Sequence, residues 1–216
     1  YTAKNKPSER ALRSGKEQVF FDLEQPIHQQ GDLMMNSEIY FKYQWRYKKE
    51  DLKYCPRCGH RFSLEDIHIP NQPQLVCHHC QFIFYLDPKL VVVAVVFNRN
   101  KDKVLLLQRN EDPGKGLWAF PGGHVERGQD PFDTLVNEVK EETGLSVEVH
   151  EIVSTFSSPD EGVIQLVYEA ISDNEEVVVN IESKTGRFFY FNEIPWNKLA
   201  FPSTEKVLRL YAQNNG

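Results

Sequence analysis

Leu117-Trp118-Ala119-Phe120-Pro121-Gly122-Gly123-His124-Val125-Glu126-Arg127-Gly128-Gln129-Asp130-Pro131-Phe132-Asp133-Thr134-Leu135-Val136-Asn137-Glu138-Val139-Lys140-Glu141-Glu142-Thr143-Gly144-Leu145 organises the reading of the whole chain. Its apolar start predicts a short strand over 117–120, which Pro121-Gly122-Gly123 breaks. Asp130-Pro131 then reads as a helix N-cap followed by proline at the first helical position, where a missing N–H does no harm. Gly144 supplies the stop. Between these limits Leu135, Val136 and Val139 share an apolar side, while Glu138, Glu141 and Glu142 occupy another at i, i+3 and i+4. Like charges so spaced destabilise a helix by roughly a few tenths of a kcal/mol per pair, so a cation is expected beside them. Mg2+ or Mn2+, hard ions that prefer oxygen and share waters with phosphates, suit such a cluster. On the helix alone, a solvated acidic face is an equal alternative.

Working outward, Lys89 to Phe97 contains the longest apolar run, Leu90 to Phe97, and reads as a buried strand. With Val104 to Gln108 it forms a hairpin whose loop exceeds two residues. Val147 to Val153, Val163 to Ile171 and Arg187 to Phe191 are further strands, and a closing helix carries Val207, Leu208 and Tyr211 on one face. Strands on both sides of a central helix, with a second helix at the end, predict an α/β sandwich around a mixed sheet. Upstream, Phe41, Tyr43, Trp45 and Tyr47 alternate with Lys42, Gln44, Arg46 and Lys48, which predicts one half-buried strand within an otherwise irregular lead-in. An edge strand defended by lysines accounts for that pattern better than a nucleic-acid surface does.

Cys55-Pro56-Arg57-Cys58 and Cys77-His78-His79-Cys80 are two Cys-x-x-Cys knuckles eighteen residues apart. Each turns two thiolates toward one point, and four thiolates close a tetrahedral zinc site with no position left for water. The metal is therefore expected to be structural, with His60, His78 and His79 as spacers; two disulfides or free thiols are the alternative. Three segments follow: an extension over 1–50 with one expected strand, a zinc ribbon over 51–88 and the α/β domain over 89–216. The 216 residues carry a net charge of −6, which argues against a protein that coats nucleic acid, and no run is long enough to span a membrane. The confinement of all four cysteines to one cluster favours a reducing, cytoplasmic setting. The start at Tyr1-Thr2-Ala3-Lys4 suggests a trimmed end, so a targeting segment already removed is the competing possibility.

Gly123 to Gln129 followed by Asn137-Glu138-Val139-Lys140-Glu141-Glu142-Thr143-Gly144-Leu145 resembles the Nudix box, in register at Gly123, Glu138, Val139, Glu141, Glu142, Gly144 and Leu145. Two positions depart from the box: Gln129 stands where the family has Glu and Asn137 where it has Arg, a double neutral replacement that could pair amide to amide. A zinc ribbon directly before the box resembles the branch that contains NADH and FAD pyrophosphatases, as does the tail Glu193-Ile194-Pro195-Trp196 and Leu199-Ala200-Phe201. Phe156-Ser157-Ser158-Pro159-Asp160 stands where the NADH-specific signature would fall, and Thr185 replaces a second tail glutamate.

The resemblance implies a Nudix α/β/α sandwich and hydrolysis of the diphosphate in a nucleoside diphosphate linked to another group, such as FAD, ADP-ribose or NAD(H). It implies catalytic Glu138, Glu141 and Glu142, with Glu138, Glu142 and a tail Glu182 holding magnesium or manganese; Gly123, Gln129, Asn137 and Gly144 shape the box. Phe156, Phe188 and Tyr190 are candidate partners for a stacked base, and a homodimer accords with family habit. Two other classes compete: a Nudix-fold nucleotide binder with weak or no turnover, suggested by Gln129, Asn137 and Thr185, and a hydrolase of NAD-capped RNA using the cations of residues 42–53.

Overall fold

The computed structural model of the protein describes residues 49–63, 66 and 74–214. The expected lead-in and the strand over Phe41 to Tyr47 lie outside the described residues. Eleven named elements carry the architecture. Strands β1 (Leu75–Val76) and β2 (Ile83–Phe84) form a small antiparallel ladder beside the cysteines. A larger sheet follows from β3 (Lys89–Asn98), β4 (Lys103–Arg109), β5 (Trp118–Ala119), β6 (Gly122–His124), β7 (Val147–Ser158), β8 (Val163–Ser172) and β9 (Ser183–Tyr190). Two helices accompany it, α1 (Pro131–Thr143) and α2 (Pro202–Asn214). Among the described residues no helix is long and apolar enough to cross a membrane.

The sheet is mixed, as expected. Strand β3 pairs in parallel with β8 over ten residues, and the remaining ladders are antiparallel. Alternation along β3 and β4 sorts the core onto two faces. Val93, Val95, Phe97, Val104 and Leu106 join Val207 and Leu208 of α2; Val92, Ala94, Val96, Leu105 and Leu107 join Leu135 and Val139 of α1. A strand buried on both faces must be apolar at every position, which is why Leu90 to Phe97 shows no period. The sheet thus lies between two helices.

The hairpin of β3 and β4 closes at Phe97 opposite Val104 and then forks. Into the fork runs the segment that carries β5 and β6: Trp118 and Ala119 pair with β4, and Gly122 to His124 pair with Val91 to Val93 of β3. The expected break at Pro121-Gly122-Gly123 is therefore a switch of partner, with a second strand immediately after it. Gly122 has φ 147°, and a Cβ there would collide with the carbonyl oxygen of Val92. Only glycine lets the chain cross so close to β3.

Helix α1 has the expected ends. The Asp130 carboxylate accepts N–H bonds from Phe132 (2.8 Å) and Asp133 (3.3 Å), and Gly144 closes the helix at φ 72° with its N–H on the carbonyl of Lys140. Strand β7 runs on to Ser158, beyond the expected Val153, because after two register shifts between Val149 and Ser154 its polar end pairs regularly with β8. Strand β9 starts at Ser183, earlier than Arg187; Phe191 begins a 3-10 turn.

Candidate active site

Four chain segments line one small cleft at the fork: the end of β4 with the loop after it, Ala119-Phe120, the start of β9 with the residue before it, and Glu142 of α1. On α1, Glu142 Oε2 accepts the backbone N–H of Gly122 at 2.8 Å, which ties the helix to the fork. One turn earlier, Glu138 faces Gly123 so closely that a Cβ on Gly123 would strike its carboxylate. Glu182, just ahead of β9, and Arg109, at the end of β4, line the cleft together with Glu142. Glu141 is exposed, on the outer side of the same turn.

The electrostatics are those of crowded carboxylates. Burial pushes the Glu142 carboxyl from its ordinary 4.5 up to about 7; the Gly122 N–H opposes the shift, the charges of Glu138 and Glu182 add to it, and Arg109 opposes it. Glu138 is also raised, first by burial and then by Glu141 and Glu182. Both shifts report sites where an anion is disfavoured until a cation arrives. Carboxylates from two segments supply oxygen donors of the chemistry that divalent ions prefer, which fits the expected metal; among the described residues only the four cysteines already stand close enough together to hold an ion.

The structure does not bring the aromatic candidates to this cleft. Phe156 is 4 % exposed inside the core packed against α2, so it is a core residue and not a stacking surface. Phe188 packs partly buried against the α1 side of the core, opposite Leu105. Tyr190 is exposed beneath Lys103 (4.9 Å from Nζ to ring centroid), at the hairpin end of β9. Eight residues of strand separate it from Glu182, on the order of 26 Å. An alternating aromatic pattern in a strand says which residues pack together, and nothing about which end of the strand meets the helix.

The expected amide pair is also not formed. Gln129 is exposed, and its Oε1 accepts the N–H of Glu126 at 2.8 Å; Asn137 is exposed on the helix. The box loop is closed locally by Gln129, without Asn137. Sequence reasoning overlooked Arg109, whose position in Gln108-Arg109-Asn110 belongs to no spacing pattern, although a half-buried cation two residues after four buried apolar ones is a signal in itself.

At the other site the four thiols converge. Cys55 and Cys80 stand 3.7 Å apart, as do Cys58 and Cys77, and all four sulfurs lie within 4.8 Å of one another. Tetrahedral zinc with bonds of about 2.3 Å sets sulfurs about 3.8 Å apart. A disulfide needs about 2.05 Å, so the separations fit the metal and not cross-links. The knuckles are built alike: Gly59 N–H bonds to the Cys55 carbonyl and Gln81 N–H to that of Cys77, with φ 72° and 59°. The histidines serve other partners. His78 Nδ1 and its backbone N–H meet the buried Asp66 carboxylate at 2.7 and 3.1 Å, and His60 stacks on His79.

A zinc-knuckle module followed by a sheet between two helices, with a glycine-bounded acidic helix at its fork, defines a class, and comparison with known proteins agrees. The family model described as NUDIX domain matches residues 87–211, and one described as Nudix N-terminal matches residues 53–86. The chain belongs to the Nudix family.

Among its relatives, the ADP-ribose pyrophosphatase of Methanocaldococcus jannaschii is 36% identical over 135 residues, covering 61% of this chain and 77% of that one. The NAD-capped RNA hydrolase NudC of Vibrio atlanticus is 31% identical over 104 residues, covering 48% of this chain and 36% of its own length. The crystal structure of a NUDIX hydrolase from Nitrosomonas europaea superposes with a TM-score of 0.68 at 28% identity, over 76% of this chain and 93% of that one.

Proposed function

We propose that the protein hydrolyses the diphosphate bond of a nucleoside diphosphate linked to another group, with an ADP-ribose-like compound as the leading candidate, releasing a nucleoside monophosphate. The observation that carries this reading is that Glu142 and Glu182 line one cleft, with Glu142 locked to Gly122 and within the electrostatic reach of Glu138. Magnesium or manganese bound there would supply Lewis-acid activation of the diphosphate and of an attacking water. The chain's own contribution is placement. Gly122 aims one oxygen of Glu142, Gly123 leaves room for the Glu138 carboxylate, and the β9 lead-in brings Glu182 from the opposite side. Zinc would sit apart, on Cys55, Cys58, Cys77 and Cys80, as a structural ion.

The relative named ADP-ribose pyrophosphatase, covered over 77% of its length, supports the substrate class. NAD-capped RNA is the second candidate, from the printed name of the Vibrio relative, although this chain spans about a third of that protein. The test is release of AMP from ADP-ribose, NAD, NADH and FAD, and of nicotinamide mononucleotide from a short NAD-capped RNA, each with Mg2+ or Mn2+. Turnover of ADP-ribose well above the others supports the reading. Preference for the capped RNA would replace the small substrate, and metal-independent release would contradict the role given to the carboxylates.

A further inference from the structure

Arg109 is the only basic residue among the described residues that line the cleft, and its setting is unusual for a cation beside so many carboxylates. Strand alternation places it on the same face as Leu105 and Leu107, beneath α1. The ladder between β4 and β9 slips at this point: Gln108 pairs with Thr185 and Arg109 with Ser183, leaving Lys184 as a bulge. Bulges re-aim the side chains beside them. Immediately afterwards Asn110 donates its backbone N–H to the carbonyl of Glu182 (2.8 Å) and its Nδ2 to that of Ile181 (3.0 Å). Arg109 and Glu182 are thus carried on segments bonded to each other.

The guanidinium is held from behind. Its Nε donates to the carbonyl of Pro113 at 2.7 Å, and its plane lies 5.3 Å from the Phe201 ring centroid. Phe201 follows Ala200, whose N–H is bonded to the Trp118 carbonyl at 2.8 Å, so the support is itself anchored to β5. Although Glu111, Glu142 and Glu182 share the cleft, Arg109 forms no ion pair with any of them among the described residues. Burial draws its pKa down while those carboxylates resist the fall. A fork fixed at Nε and over one face, with its two terminal nitrogens uncommitted, is organised before any ligand arrives.

We propose that Arg109 grips the diphosphate of the substrate through its Nη groups. This rests on reading the cleft as a diphosphate site. The planar fork matches the non-bridging oxygens of a phosphoryl group, and charge-assisted bonds of this kind are roughly twice as strong as neutral ones. The carboxylates repel the diphosphate, and Arg109 offers it the one cation among the described residues that line the cleft. Its place beside Glu182 sets the anion next to the carboxylates that would hold metal.

The experiment compares wild type, Arg109→Gln and Arg109→Lys in the full chain. It follows kcat and KM for ADP-ribose with Mn2+, calorimetric binding of methylenediphosphonate as a non-hydrolysable diphosphate probe, and thermal melting. Gln retains a donor for the Pro113 carbonyl, and Lys retains the charge without the fork. The expected result is at least about a tenfold loss of probe affinity and a comparable rise in KM for Arg109→Gln, partial recovery in Arg109→Lys, and a melting temperature close to wild type. Probe affinity and KM equal to wild type in a folded Arg109→Gln would overturn the proposal while leaving the hydrolase reading intact. So would equal loss in both variants that tracks a fall in melting temperature, which marks a structural arginine. If wild type binds the probe without turning over ADP-ribose, and Arg109→Gln abolishes binding, the grip stands and the hydrolase reading falls. Failure of wild type to bind the probe sinks both.

Discussion

Glu142 Oε2 and the backbone N–H of Gly122 meet at 2.8 Å, joining the acidic helix to the fork between β3 and β4. This bond orients a carboxylate whose burial already raises its pKa to about 7. Folding therefore holds Glu142 in place at an energetic disadvantage that a bound cation would relieve.

A dependence of stability on pH follows. In the unfolded chain Glu142 ionises near 4.5, and in the fold near 7. Between those values the native state keeps a proton that the unfolded state has released, so stability is highest below 4.5 and declines as pH rises through 7. The loss for metal-free protein is on the order of 2–3 kcal/mol. Melting curves at pH 5 and pH 8 with chelator present, for wild type and Glu142→Gln, should show a steeper decline in wild type, Glu138 keeping a smaller one in the variant, and Mn2+ should restore wild type at pH 8. Parallel curves for the two proteins would remove the claim.

The two glycines at the fork should respond differently to alanine. At Gly122 the added Cβ strikes the Val92 backbone, which cannot yield, and φ is 147°. A loss of about 2–4 kcal/mol is expected by denaturant unfolding. At Gly123 it strikes only the tip of Glu138, a flexible side chain. Stability should change by less than about 1 kcal/mol, while kcat/KM falls at least about tenfold as the carboxylate swings away. Equal stability losses at the two sites would contradict this account of the fork.

Phe156→Ala tests the reassignment of that residue from substrate contact to core. With 4 % exposure, its truncation should cost about 3–5 kcal/mol. KM for ADP-ribose should stay near wild type under conditions where the variant is folded. A stable variant with a greatly raised KM would return Phe156 to the substrate.

The ribbon should depend on its metal. Its apolar core is small, with Cys55, Phe62, Leu75 and Cys77 as its buried members, and two of these are proposed ligands. Elemental analysis is expected to give about one zinc per chain. Cys77→Ser should lose it and expose the ribbon to proteolysis, while the sheet of the second domain still melts cooperatively. Retained zinc in that variant would point to other ligands.

Much of this architecture was legible in the sequence because it rests on local chemistry. Asp130-Pro131 and Gly144 carry their capping geometry with them, and the cysteine spacing implies a shared point before any fold is known. What escaped depends on contacts between distant segments. The strand at Gly122 exists because β3 lies beside it, and Arg109 acquires its surroundings only when β4, β9 and Phe201 come together. Phe156, Phe188 and Tyr190 share a residue type that suits either a core or a base-stacking surface, so composition could not say which end of the sheet they serve. The Gln129 and Asn137 replacements read in the sequence as a neutral pair that could bond amide to amide, and the structure leaves the two side chains apart. On the exposed surface that they occupy, their cost should be small.

The most direct test of the central claim is turnover of ADP-ribose by wild type and by Glu142→Gln, measured with and without Mn2+, with methylenediphosphonate binding measured alongside. The expected result is metal-dependent AMP release that falls by at least about a hundredfold in a variant still folded by melting and circular dichroism. Undiminished release from Glu142→Gln, or no release from wild type that nonetheless binds the diphosphate, would contradict it and leave a Nudix-fold binding protein.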